Sequence, residues 1–219
     1  MQKLIIPAVL AINKKQLADK ISQVEDLVEY IQIDYMDGKF VKQKTNFTAA
    51  DLYNLNPVPK QELHLMVNNP EDIIEDWIGA GVEKFIIHAE APIDWEKINE
   101  IYHENYIKLY LALNPNTPLN KIDEHKKILD GVTIMGVTPG RTGQKFNPKI
   151  LGKIKSLRQK YPRMNIQVDG GLHLKPTNSI RQVLLSGANE IVVGSEVFIS
   201  KDIPAKIEEL YNYLESFDA

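Results

Sequence analysis

At 219 residues, with 43% apolar and 25% charged side chains and a net charge of −3 at pH 7, the chain has the make-up of a soluble globular protein long enough to bury a core unaided. The slightly acidic balance gives no general electrostatic case for nucleic acid or an anionic membrane surface, and no run approaches the ~20 apolar residues that span a bilayer. The absence of cysteine excludes disulfides, thiolate metal sites and cysteine nucleophiles.

The opening Met1-Gln2-Lys3-Leu4-Ile5-Ile6-Pro7 lacks the long apolar core of a signal peptide, so a cytoplasmic protein is expected. From there two textures alternate. Short apolar runs at 4–10, 30–34, 63–67, 84–88, 108–113, 131–136, 165–169 and 190–194 read as strands. Stretches of helical period follow nearly every one. The first starts at Lys15 and carries Leu17, Ile21, Val24, Leu27 and Val28 on one stripe. Others cover 73–80, 95–102, 148–161, 180–186 and 203–217, with a weak helix at 49–54. Asn69-Pro70, Thr117-Pro118 and Asn147-Pro148 each set a capping residue before a first-turn proline.

Strand–helix alternation implies parallel strands joined by right-handed crossovers. Eight such units in about 220 residues match a (β/α)8 TIM barrel, with an open doubly wound sheet as the competing arrangement. No Gly/Ser linker or charge run divides the chain, so residues 1–219 are expected to form one domain.

In a barrel the strand C-termini make one rim, and catalytic groups gather there. Gln32 and Asp34 lie two apart and share a strand face, as do His64 and Met66. His88, Asn114 and Asp169 end the fourth, fifth and seventh runs. Asp34 and Asp169, on strands well apart around the ring, can approach one ligand from opposite sides. Two opposed carboxylates suit inversion at carbon by proton transfer, one as base and one as acid. His64 with the two aspartates also offers the nitrogen and oxygen donors of a divalent metal site, which would stabilise an enediolate. Taken singly, each is as well explained by a strand-end cap or a core histidine. A second constellation, Gly170-Gly171 and Gly194-Ser195, follows the last two runs, where barrels often bind phosphate. The loop from Pro139 to Lys145, with Gly140 and Gly143, is placed to close over it.

In chain order, Ile33-Asp34-Tyr35-Met36-Asp37-Gly38-Lys39-Phe40-Val41, His64-Leu65-Met66, Ala112-Leu113-Asn114-Pro115-Asn116-Thr117-Pro118, Met135-Gly136-Val137-Thr138-Pro139-Gly140, Gly143-Gln144-Lys145-Phe146, Val168-Asp169-Gly170-Gly171 and Val193-Gly194-Ser195 resemble the ribulose-phosphate 3-epimerase family. The resemblance runs over nearly the whole chain. It implies a barrel of the ribulose-phosphate-binding type, a divalent metal (often zinc or iron), a small phosphosugar substrate, homo-oligomers, and interconversion of ribulose 5-phosphate and xylulose 5-phosphate in the pentose phosphate pathway. Asp34 and Asp169 match the family's acid/base pair and, with His64, its metal ligands. Met36, Met66 and Met135 match the methionines that wall the reacting centre. Gly170, Gly171, Gly194 and Ser195 match phosphate-binding positions.

Three positions depart from the pattern. Gln32 stands where the family has a ligating histidine, and an amide oxygen is a poorer donor for zinc or iron than imidazole. Zinc, iron, manganese, cobalt and magnesium all stay open for such a site, with a harder ion favoured by the amide. Ala8, in Pro7-Ala8-Val9-Leu10, replaces a serine whose hydroxyl would reach substrate. Gly140-Arg141-Thr142-Gly143 replaces Gly-Phe-Gly-Gly, and Arg141 either adds a cation near the phosphate or points into solvent. These departures set an epimerase with an altered metal site, or one for another ketose phosphate, against a phosphosugar-binding homologue of little activity. Met36 argues against enzymes resembling hexulose-phosphate synthase, which carry lysine at that position.

Overall fold

In a computed structural model of the chain, residues 1–140 and 143–217 are described. Arg141 therefore lies outside the described residues.

Eight parallel strands close into a barrel in chain order: β1 (Leu4–Val9), β2 (Tyr30–Met36), β3 (Lys60–Met66), β4 (Lys84–His88), β5 (Lys108–Leu113), β6 (Gly131–Met135), β7 (Asn165–Asp169) and β8 (Glu190–Val193). β1 pairs with both β2 and β8, which excludes the open sheet. Around it run α1 (Lys14–Ile21), α2 (Ala49–Leu55), α3 (Ile74–Gly79), α4 (Trp95–Asn105), α5 (Ile150–Lys160), α6 (Ser179–Ser186), the four-residue α7 (Ser195–Phe198) and α8 (Ile203–Glu215).

Helix starts and stops follow local hydrogen bonding. The α1 stripe continues to Val24, which is buried, but the helix ends at Ile21. Ser22 Oγ and Gln23 Nε2 both donate to the Asp19 carbonyl oxygen, at 3.1 and 2.7 Å. Side chains that bond nearby carbonyls in this way compete with helix continuation. The effective N-caps are Asn13, Thr48, Asp94 and Asp202, and Thr48 forms a capping box with Asp51. The three Asx/Thr-Pro steps behave otherwise. Asn69 and Pro118 head only 3-10 turns and make no side-chain cap, and Asn147 accepts from Lys149 N–H one turn ahead of α5. Between β5 and β6 the only helical piece among the described residues is the 3-10 turn Leu119–Ile122.

The apolar core lies between the strands and the helices. Ile31, Ile33, Leu63, Leu65, Phe85, Ile87, Leu109 and Leu111 point outward from the barrel into it, with Trp77, Ile98, Ile154 and Leu210 among the facing side chains. Alternation along each strand turns the other set inward, and that set is largely polar. Lys84 Nζ lies 2.6 Å from carboxylate oxygens of both Glu62 and Glu190. Tyr110 donates to Glu190 at 2.7 Å, and Gln167 donates to Glu62 at 2.7 Å. Two carboxylates around one ammonium, with a hydroxyl and an amide completing the set, satisfy charges that would be costly to bury alone. The barrel interior is thus polar below the rim as well as at it.

Candidate active site

The inward set ends at the rim in the groups singled out from the sequence. In the β2–β3 register Asp34 pairs with His64, and in the β6–β7 register Met135 pairs with Asp169. These two pairings bring residues from opposite parts of the ring over the barrel axis. His64 Nδ1 lies 2.9 Å from Asp34 Oδ1 and 3.3 Å from Asp169 Oδ2. One donor atom from each of the three residues falls within 4.8 Å of the others.

Gln32, fully buried, reaches the same point from one layer below. Its Nε2 donates to Asp34 Oδ1 and to Asp169 Oδ2, both at 3.1 Å, while its Oε1 is buried with no partner. Amide nitrogen and oxygen exchange places by a half-turn of the last side-chain bond. After that turn the orphaned carbonyl oxygen would face the two carboxylates and His64, completing a four-donor set of three oxygens and one nitrogen. Such a set fits a divalent ion. It is harder than one with two imidazoles.

Burial opposes a positive charge on His64, but hydrogen bonds to Asp169 and Asp34 outweigh it and hold the imidazolium up to about 10. Burial raises Asp34. Behind His64 stands His88, Nε2 to Nε2 at 2.8 Å, with the rings stacked at 5.0 Å. Burial pushes His88 down to about 4, so it is neutral. Its Nδ1 faces Glu90 Oε2 at 3.2 Å. Glu90 is itself fixed by the Asn114 N–H at 2.9 Å and by the Thr117 hydroxyl.

A cavity of about 400 Å³ opens above this cluster. Its lining includes Asp34, His64 and Asp169, then Ala8, Met66 and Met135, and then Gly140, Gly143, Gly170, Gly171, Gly194 and Ser195. Met36 differs from expectation in position: it is buried and does not line the cavity, whereas Gln32 lies against the aspartates, at the place expected for it. The loop after β7 needs its glycines. Gly170 and Gly171 have φ of +107° and +71°, and a Cβ on Gly171 would stand 2.7 Å from Phe146 N, so no side chain fits there. Gly194 precedes α7, whose first turn begins at Ser195.

Sequence reasoning did not single out Glu90 or Lys20. Lys20 lines the cavity from α1, and its spacing of three from Leu17 and four to Val24 places it on the buried stripe. A lysine on an apolar face was the signal available for it.

The sequence model described as the ribulose-phosphate 3 epimerase family matches residues 4–198. A ribulose-phosphate 3-epimerase of Schizosaccharomyces pombe is 35% identical over 217 residues, covering 97% of this chain and 94% of its own. One from Synechocystis sp. is 37% identical over 206 residues, covering 89% and 86%. Among solved structures, the 3-hexulose-6-phosphate synthase of Salmonella typhimurium superposes with a TM-score of 0.72 at 12% identity, covering 97% of this chain and 99% of its own. The orotidine 5'-monophosphate decarboxylase of Sulfolobus solfataricus does so with a TM-score of 0.65 at 11% identity, covering 99% of each chain. At that identity the likeness is one of fold.

Proposed function

The chain belongs to the ribulose-phosphate 3-epimerase family and is an enzyme of the isomerase class, and on that premise we propose that it inverts C3 of ribulose 5-phosphate to give xylulose 5-phosphate. The observation that carries this reading is the meeting of Asp34 and Asp169 at His64 Nδ1, 2.9 and 3.3 Å away, in a cavity that the glycine loops after β7 and β8 also line. Relatives bearing that name supply the substrate class.

The substrate lies with its phosphate on the N–H groups of the Gly170-Gly171 and Gly194-Ser195 loops and its C2–C3 unit between the two aspartates. One carboxylate removes the C3 proton and the other, protonated, returns a proton to the opposite face. Their roles exchange when the reaction runs backwards. Asp34, His64, Asp169 and a turned Gln32 carbonyl would hold a divalent ion, which when bound supplies electrostatic stabilisation to the enediolate oxygen. Met66 and Met135 wall the reacting centre with apolar, polarisable side chains that exclude water.

One observation favours a weaker catalyst. The Gln32 amide donates to both carboxylates and so occupies acceptor positions that a metal ion or the substrate would otherwise use. A coupled assay of ribulose 5-phosphate conversion separates the readings. It is run after chelation and again with zinc, iron, manganese, cobalt or magnesium restored singly. Turnover restored by any ion supports the epimerase. Folded protein that binds ribulose 5-phosphate but turns over with none would leave the binding homologue.

A further inference from the structure

Lys20 is the one lysine or arginine that lines the cavity among the described residues. It enters from α1, on the side where Ala8 and Leu10 present only apolar side chains. Its Nζ donates to the Leu10 carbonyl oxygen at 2.8 Å and lies 5.0 Å from the centre of the Phe198 ring. Phe198 closes α7, the element that starts at Gly194-Ser195. The ammonium therefore stands between the tip of β1 and the helix that follows the loop after β8.

An ammonium carries three N–H donors, and the Leu10 carbonyl uses one. Among the described residues no carboxylate pairs with Lys20 within ion-pair distance. Half-burial already works against its charge, and the more distant Asp34 carboxylate is a partial counterweight. A half-buried cation with spare donors and no ion-pair partner gains from an anion placed beside it, because the pairing offsets desolvation it has already undergone. α7, with four residues, is too short to supply that positive end itself.

We propose that Lys20 is a substrate-binding residue that pairs with the phosphate of the ligand and so sets the preference for phosphorylated over neutral ketoses. The inference rests on the phosphosugar reading above. It adds a side-chain cation from α1 to the loops after β7 and β8 that the reading gives to the phosphate.

The test measures binding of ribulose 5-phosphate and of unphosphorylated ribulose by calorimetry, with wild-type, Lys20→Met, Lys20→Gln and Lys20→Arg proteins. Thermal unfolding of each establishes that it is folded. A lost charge-assisted hydrogen bond predicts about ten- to hundredfold weaker binding of ribulose 5-phosphate to the Met and Gln variants. Binding of ribulose should stay unchanged, Arg should restore most of the affinity, and the variants should lose part of the salt dependence. Wild-type affinity for ribulose 5-phosphate in both neutral variants would overturn the role of Lys20 alone. Equal weakening of both sugars would also overturn it, because the contact would then be to the sugar. Failure of the wild type to bind ribulose 5-phosphate would overturn the phosphosugar reading together with it.

Discussion

His64 and His88 share a single hydrogen bond, Nε2 to Nε2 at 2.8 Å, and its direction is set from outside. Glu90 accepts from His88 Nδ1, so the neutral His88 ring must accept at Nε2 and His64 must donate. With its Nε2 proton so committed, the atom His64 has available for a metal is Nδ1, which is the one facing Asp34 and Asp169. A carboxylate one histidine removed thus fixes which nitrogen of His64 a metal ion would meet.

Glu90→Gln should therefore weaken metal binding by about tenfold to a hundredfold. The amide can turn its NH₂ to His88 and reverse the chain of donors, while its carbonyl can still serve the Asn114 N–H. Competition against a chelator of known affinity measures the change. An affinity equal to wild type would mean that the tautomer is set elsewhere.

Gln32→His should act in the opposite direction. Imidazole is a better donor to zinc or iron than an amide oxygen, and the position already points at both aspartates from 3.1 Å. The substitution should raise affinity by about tenfold or more and move the preference among ions towards zinc and iron. Metal titrations of the two proteins giving superimposable curves would rule this out. The buried, unpartnered Oε1 gives the same expectation from the other side, since an atom left without a partner contributes nothing to holding Gln32 in place.

Much of this arrangement was legible in the sequence. The strands Lys84–His88 and Lys108–Leu113 coincide with continuous apolar runs, and Asn165–Asp169 with a run that alternates apolar and polar residues, the two patterns that mark buried and half-buried strands. Asp34, His64 and Asp169 could be grouped once eight units implied a common rim. What escaped depends on distance through space. Nothing in the spacing of His88 and Glu90 says that they form a hydrogen-bonded chain to His64 on the neighbouring strand. The stripe carrying Lys20 predicts burial of that position, but which cavity its ammonium reaches depends on how α1 packs over β1. The α1 terminus was missed because Ser22 and Gln23 compete for a carbonyl, a local effect that outweighs the apolar period.

Asp169→Asn separates chemistry from binding. The amide keeps the volume and removes the base, so kcat should fall by about a thousandfold or more. Ribulose 5-phosphate should still bind with near wild-type affinity, since its phosphate would lie on loop N–H groups and the Lys20 ammonium rather than on this side chain. Turnover comes from the coupled assay and affinity from calorimetry. Equal losses in both would show that Asp169 holds the substrate as much as it transforms it.

Lys153 provides a pH-dependent test of the loop that braces Glu90. It projects from α5, and its Nζ donates to the Asn114 carbonyl oxygen at 2.7 Å. Burial lowers its pKa to about 8, against a partial counter-effect from Glu90. An unfolded lysine titrates near 10.4. Between about pH 8 and 10.4 the unfolded chain keeps a proton that the folded chain has released, so this residue makes stability rise with pH across that window and leaves it flat below. The neutral amine still has N–H bonds for Asn114, so the contact survives the change. The site is only half buried, and solvent screening limits the gain to about 1 kcal/mol. Urea unfolding of wild type and Lys153→Met from pH 6.5 to 10 isolates it, because every other titrating group is common to both. The wild type should gain on the variant only above about pH 8. Parallel stability curves across that range would show that the ammonium at this position carries no desolvation cost.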